Sequence, residues 1–400
     1  MQYLKIEKQC FFSGVNYRYA KVINLKIDSI HSKVCGSNHY VRIVTDSGVV
    51  GHGQSGCWAY PQAVHEVVNV FAKYLVGQDP RKIEHHWHHL YRMGPFRGSI
   101  LTSGVSAIDI ALWDIAGKRL GVPIYELLGG PTRTKLRLHL LLRSGSIEEL
   151  VADARSAIAE GFTALKFDPL PENVQSLSLP EIVSKTVACA KAIRDTVGES
   201  VDLIFELHRK LTALQSSAIM NELAVFRPLF IEDPIQIDSF SAQSRVASTH
   251  DGAVGVGERL HNIWEFNDIL TLGGPQYVRP DLGTAGGISQ VKKIASLAEA
   301  HSSTLVVHNC LGPIITAASA HIGASIPNFI VQEFSRFDDS LALGSGIQSH
   351  FKRDGGWLLL SNEPGLGVDV DWERLPVIDF VGREINDIPY RDDGSVSFAV

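Results

Sequence analysis

A chain of 400 residues, 45% hydrophobic and 20% charged, has the make-up of a globular protein large enough for two or three units or for one barrel with decorations. Its net charge of −6 comes from interspersed acids and bases, so no basic face gathers phosphate backbones and nucleic acid is not expected as a partner. No apolar run reaches the roughly 18 residues that cross a bilayer, Lys5, Glu7 and Lys8 interrupt any signal-peptide core, and five scattered cysteines without CxxC spacing suit free thiols, so the expectation is a cytoplasmic protein without a membrane partner.

In chain order, strand-like KVINLKI and YVRIVTDSG come first, followed by helical segments. EHHWHHL (84–90) sets His85, His88 and His89 at helical ligand spacing but lacks the HExxH glutamate, and a surface helix with Trp87 and Leu90 turned inward is the better account. SGVSAIDIALWDIAGKRLGVPIYELLGG (103–130) has helical periodicity and stops at Pro123 and Gly129-Gly130. From about residue 135, short apolar runs without polar alternation recur between longer helical patterns, as parallel strands buried on both faces do. They are LRLHLLL (136–142), TALKFD (163–168), VDLIFE (201–206), PLFIE (228–232), AVGVGE (253–258), YVRPD (277–281), TLVVH (304–308) and NFIVQE (328–333). Eight strands in βα order predict a closed α/β barrel. After about residue 345 the chain turns Gly/Pro-rich, and the predicted division is a 1–130 α+β unit, a 131–345 barrel and a 346–400 segment returning to the first unit.

Polar residues fall at the ends of these runs. Glu206, Glu232, Glu258, Asp281, His308 and Glu333 each close a predicted strand, at steps of 26, 26, 23, 27 and 25 residues, about one βα unit. Taken singly, an acid at a strand end is more often a helix cap or a solvated loop residue. Six at repeat spacing predict one converging site at the carboxyl ends of the strands, where barrels place their chemistry.

Glu206, Glu232 and Glu258 form an all-oxygen set that suits Mg²⁺ better than Zn²⁺, against the plainer reading of three separate salt-bridged acids. Three like charges at one mouth also call for a cation. Asp281, one βα unit before His308, is placed to fix its tautomer and make it a base, where a lone histidine would be a satisfied core residue. His208, two residues beyond Glu206, is expected in the same cavity as an acid, with a supporting partner or extra metal ligand as the alternatives.

AIDIALWDIAGKRLGVPIYELLGG, FELH, FIEDP, VGERL, PDLGTAGGISQVKKIASLAEA, VVHNCLGPI and PGLGV together resemble the enolase superfamily, in its mandelate racemase-like subgroup of galactonate dehydratase-type acid-sugar dehydratases, over nearly the whole chain. The resemblance implies a modified (β/α)7β TIM-type barrel with an α+β capping domain, one Mg²⁺ per chain on Glu206, Glu232 and Glu258, and a homo-oligomer. It implies dehydration of a galactonate- or gluconate-like aldonate to a 2-keto-3-deoxy acid through an enediolate. His308, held by Asp281, is the base at C2, His208 the acid on the C3 hydroxyl, and Glu333 a partner of the enediolate oxygen. Lys166 remains as a cation near the substrate carboxylate, while Asp168 stands where racemase-type members carry a second lysine and joins Tyr17, Arg18 and Trp58 as a substrate-binding candidate. Two departures from the family pattern are Glu206, where aspartate is usual, and Gln54, where an acid is common. The competing readings are an epimerase or cycloisomerase using the same enediolate, and a degenerate, non-catalytic sugar-acid binder.

Overall fold

The computed structural model describes residues 25–143, 145–336, 338, 346–382 and 390–397. Tyr17 and Arg18 lie outside the described residues. The chain begins with an antiparallel sheet of β1 (Ile27–Cys35), β2 (Asn38–Thr45) and β3 (Val50–Ser55), followed by α1 (Pro61–Leu75), α2 (Ile83–Arg92), α3 (Ser99–Leu120) and α4 (Ile124–Leu127). Val64, Val68, Phe71 and Leu75 of α1 recur at helical spacing and form one buried face. That face joins a core with Ile27, Val41 and Ile43 of the sheet and Val105 to Ile115 of α3.

Helix α3 lies directly on β3 because β3 lacks side chains where the two meet. A Cβ on Gly51 would stand 2.1 Å from the Ala111 carbonyl oxygen, and one on Gly53 1.9 Å from that of Ala107. The alternating glycines of GHG thus permit backbone-to-backbone packing. By length and composition α3 is apolar enough to cross a membrane, yet 78% of that window is buried inside the protein.

The barrel follows as β4 (Lys135–Leu141), α5 (Ile147–Ala159), β5 (Ala164–Phe167), α6 (Leu179–Val197), β6 (Asp202–Glu206), α7 (Ala213–Leu223), β7 (Phe230–Glu232), α8 (Phe240–Ser248), β8 (Val254–Val256), α9 (Ile263–Thr271), β9 (Tyr277–Val278), α10 (Gly287–Ala300), β10 (Thr304–Leu305), α11 (Pro313–Ser325) and β11 (Gln332–Phe334). Neighbours from β4 to β10 pair in parallel. The ring closes through a Leu305–Phe329 bridge and the pairing of β11 with β4. Among the described residues this is eight strands with seven intervening helices, the (β/α)7β order expected from the sequence. Reciprocal capping boxes open α5 (Ser146/Glu149), α6 (Ser178/Glu181) and α7 (Thr212/Gln215).

Strand periodicity explains where the polar residues go. Ala164, Ile204, Phe230, Val306 and Val331 make an apolar layer inside the barrel, while Leu165, Leu203, Phe205 and Ile231 face the helices. Two residues beyond each inward residue, on the same face, stand Lys166, Glu206, Glu232, His308 and Glu333. Tyr277 likewise leads to Arg279 and Asp281. Glu258 breaks this rhythm, since Val254 and Val256 face the helices; Gly257, at φ +137°, re-aims the chain.

Two expectations need correction. Only Glu206 and Glu232 are terminal strand residues: regular pairing in β8, β9 and β10 stops two or three positions before Glu258, Asp281 and His308, and Glu333 lies within β11. The chain stays extended past those ends, held by bonds such as His308 N to Pro280 O (3.1 Å) and by the Asp281–His308 bridge. Second, the segment beyond residue 345 contains β12 (Ile347–Ser349), β13 (Lys352–Asp354), β14 (Trp357–Leu359) and β15 (Val368–Val370), and it touches the barrel as well as the cap. β14 pairs antiparallel with β4, whereas Gly365 and Leu366 bond to Val122, Ile124 and Asp114.

Candidate active site

Glu206, Glu232 and Glu258 are buried, and one carboxylate oxygen of each lies within 4.8 Å of the other two. Among the described residues this is the single group of three ligand-type side chains so close together. The longer Glu206 side chain reaches the set despite its extra methylene. In α2, Trp87 and Leu90 are buried as expected and His86 is buried with them, while His85, His88 and His89 line a surface groove.

Four cations meet these carboxylates, of which Lys166 alone was expected from the sequence. Lys166 Nζ stands 3.1 Å from Glu206, 3.1 Å from Glu232 and 2.6 Å from Glu333. Arg279, fully buried, bridges Glu232 and Glu333 at 2.5 Å each. Arg209 pairs with Asp233 and, at 2.8 Å, with Glu258, which Arg259 reaches at 2.9 Å. The charge deficit left for a metal is therefore smaller than three like charges alone imply, because the chain supplies much of the compensation that buried charge requires. Arg279 was detectable in the sequence: a charge inside the apolar run YVRP has to find a buried partner.

Burial pushes Glu232 up to about 7 even with Arg279 beside it. Burial acts on Glu206 in the same sense, but His208 and Lys166 outweigh it and bring the group to about 2. The donor set fits a divalent metal: three hard oxygens converge where one ammonium already holds an oxygen from two of them.

His308 and Asp281 come together as the spacing predicted, with Nδ1 to Oδ2 at 2.6 Å. The other ring nitrogen stands 3.2 Å from Glu258 and 3.5 Å from Cys310 Sγ. Burial lowers the imidazole, but Glu258, Cys310 and Asp281 outweigh it and hold His308 well above the ordinary histidine value. Glu333 accepts from Asn309 N at 3.0 Å, and buried His139 of β4 lies 3.9 Å from it.

His208 reaches the site by a different route from strand alternation. After β6 the chain turns, with His208 at φ +49° and Arg209 at φ +61°, and His208 N donates to Glu206 Oε1 at 2.9 Å. Its Nδ1 meets Asp168 Oδ2 at 2.8 Å, and Lys210 Nζ reaches the same oxygen at 2.7 Å. Burial lowers the His208 imidazole, while Glu206 and Asp168 raise it, with a net rise.

The cap closes one side of the mouth. A cavity of about 270 Å³ is lined by Trp58, Tyr60 and Ser99 from the cap and Glu258, Arg259 and His261 from the barrel. Its loop is pinned by Gly56 N to Gly283 O at 2.8 Å, and a Cβ on Gly56 would stand 2.6 Å from Asp281 Oδ1. Gln54 is buried and donates to Leu311 O (2.6 Å) and Asn38 Oδ1 (3.1 Å), so it ties the cap to the loop after His308.

Residues 24–129 match the N-terminal domain of the mandelate racemase / muconate lactonizing enzyme family, and residues 149–374 match the enolase C-terminal domain-like family. A D-galactonate dehydratase of Ralstonia nicotianae is 36% identical over 338 residues, covering 83% of this chain and 88% of that protein. One from Variovorax paradoxus is 32% identical, covering 88% and 94%. The crystal structure of a mandelate racemase/muconate lactonizing enzyme from a Sulfitobacter species superposes with a TM-score of 0.83 at 30% identity, covering 90% of this chain and 97% of that one. With both halves of the fold matched and the carboxylates converging at the barrel mouth, the chain belongs to the mandelate racemase/muconate lactonizing enzyme family of the enolase superfamily.

Proposed function

We propose that this protein is a Mg²⁺-dependent hydro-lyase that dehydrates an acid sugar of the galactonate or gluconate type to a 2-keto-3-deoxy acid. The observation that carries the reading is the placement of two histidines, each bonded through Nδ1 to an aspartate, around one buried carboxylate triad. The dehydratase relatives support the same chemistry. In this reading residues 1–130 cap a 131–345 barrel, residues 346–400 pack back on the cap and also against β4 of the barrel, and the enzyme is a cytoplasmic homo-oligomer. Free Cys35, Cys57, Cys189 and Cys310 suit a reducing compartment.

Glu206, Glu232 and Glu258 would hold the ion, which when bound supplies positive charge against the substrate carboxylate as the C2 proton leaves. Lys166 adds a second cation on that side. His308 takes the C2 proton on Nε2, with Asp281 holding the other nitrogen. His208 protonates the C3 hydroxyl, the C3–O bond breaks, and water departs; the enol left behind tautomerises to the 2-keto-3-deoxy product. Glu333, anchored by Lys166 and Arg279, lies on the enediolate side. Trp58 lines the cavity in which the rest of the sugar is read.

The test is a panel of hexonates, pentonates and aldarates assayed with and without Mg²⁺ in D₂O, alongside calorimetry of Mg²⁺ binding. The expected result is metal-dependent formation of a 2-keto-3-deoxy acid and Mg²⁺ binding lost in Glu232→Gln. Label at C2 without loss of water would make the protein an epimerase, and no metal binding with no turnover would make it a binder.

A further inference from the structure

The structure contains the aspartate–histidine unit twice. Asp281 and His308 stand on neighbouring strand extensions joined by their own bridge. Asp168 follows β5 and His208 follows β6, strands paired through Phe167 and Phe205. In each unit the acid comes from the earlier strand, the histidine from the next, and the contact runs from Oδ2 to Nδ1, at 2.6 Å and 2.8 Å.

We infer that Asp168 is the positioning residue of His208: it accepts Nδ1–H, fixes the ring's tautomer and orientation, and so presents Nε2 to the substrate hydroxyl. This rests on the acid role proposed for His208. It also gives Asp168 a task other than substrate contact, for which its oxygens are poorly free. Oδ1 accepts from Leu170 N at 2.8 Å, and Oδ2 is shared by His208 and Lys210. His208 is pinned from both ends, since its backbone N–H bonds Glu206 while its ring bonds Asp168. A left-handed backbone at two successive non-glycine residues, His208 and Arg209, is held only where surrounding bonds over-determine it. No hydrogen-bond partner of His208 Nε2 is found among the described residues, so the nitrogen left over is the one a substrate can reach. A carboxylate on one imidazole nitrogen sets which proton the other carries.

The experiment compares wild type, Asp168→Asn, Lys210→Met and His208→Asn with D-galactonate and Mg²⁺ in D₂O, reading C2 deuterium exchange and 2-keto-3-deoxy product separately. Asp168→Asn is expected to lose dehydration by about 100-fold while exchange stays within about threefold. Lys210→Met keeps the wild-type ratio of the two. Equal loss of both processes in Asp168→Asn, or the same change of ratio in Lys210→Met, overturns the inference. If His208→Asn itself fails to separate exchange from dehydration, the acid role has failed and takes this inference with it. If His208→Asn separates them and Asp168→Asn does not, positioning alone has failed. A second arm needs no substrate or metal: ring nitrogen-15 shifts of the neutral His208, recognised by their loss in His208→Asn, should show the proton on Nδ1 in wild type and on Nε2 in Asp168→Asn. An unchanged tautomer in Asp168→Asn overturns the inference.

Discussion

The two aspartate–histidine pairs share one contact geometry and differ in depth. The side chains of His308 and Asp281 are 6% and 1% exposed, whereas those of His208 and Asp168 are 30% and 15% exposed. The deep pair sits against Glu258, in surroundings dry enough to strengthen every charge interaction with a carbanion-like intermediate. The shallow pair opens toward solvent, where a departing hydroxyl can leave as water. In the proposed mechanism the same unit, repeated at two strand junctions, serves the two halves of one elimination, and the two copies differ in burial.

The sharpest way to break the comparison is at the deep pair. His308→Asn is expected to abolish both C2 exchange and dehydration, each by about 10³-fold, measured by deuterium incorporation and product formation. Glu232→Gln should weaken Mg²⁺ binding by more than about 100-fold, beyond the effect usual for an outer partner of a metal ligand, as read by calorimetry. His208→Asn should cost about 10²-fold in dehydration and leave exchange largely intact.

Smaller effects probe the frame that holds the two pairs. Gly53→Ala forces a Cβ against the Ala107 carbonyl and should destabilise the cap by about 1–3 kcal/mol, seen as a lower Tm. Asp109 joins α3 to α10 by accepting from Ser289 Oγ (2.5 Å) and Ser289 N (3.0 Å). Burial raises its carboxyl from 3.8 to about 7 against the lowering effect of Ser289. The folded state thus holds this proton more tightly than the unfolded state does. The contribution is complete below pH 3.8, declines as pH rises, and is lost above about 7. Asp109→Asn should flatten the dependence of Tm on pH across that window.

Much of this was legible in the sequence, for identifiable reasons. Apolar runs at barrel spacing exposed the strands, and Glu206, Glu232, Asp281, His308 and Glu333 fall on the inner face because side chains alternate along those strands. Glu258 reached the mouth only through the backbone turn at Gly257, which alternation does not foresee. The partners of the acids were harder to see. Arg279 and Arg209 contact residues from 24 to 54 positions away, and pairing at such separations is set by barrel closure rather than by local pattern. Asp168 was assigned by analogy with the lysine of relatives, and its bond to His208 depends on a left-handed turn that LHRK does not announce. The cap's contacts were harder still: Gln54 ties the cap to the loop after His308 through Leu311 O, a partner 257 positions away that GHGQSG does not announce.

The most direct test of the division of labour follows C2 deuterium exchange and water loss together, on one turned-over acid sugar, in His308→Asn and His208→Asn. The account predicts that His308→Asn loses both, while His208→Asn keeps exchange and loses dehydration. Equal loss of exchange in the two variants would contradict it.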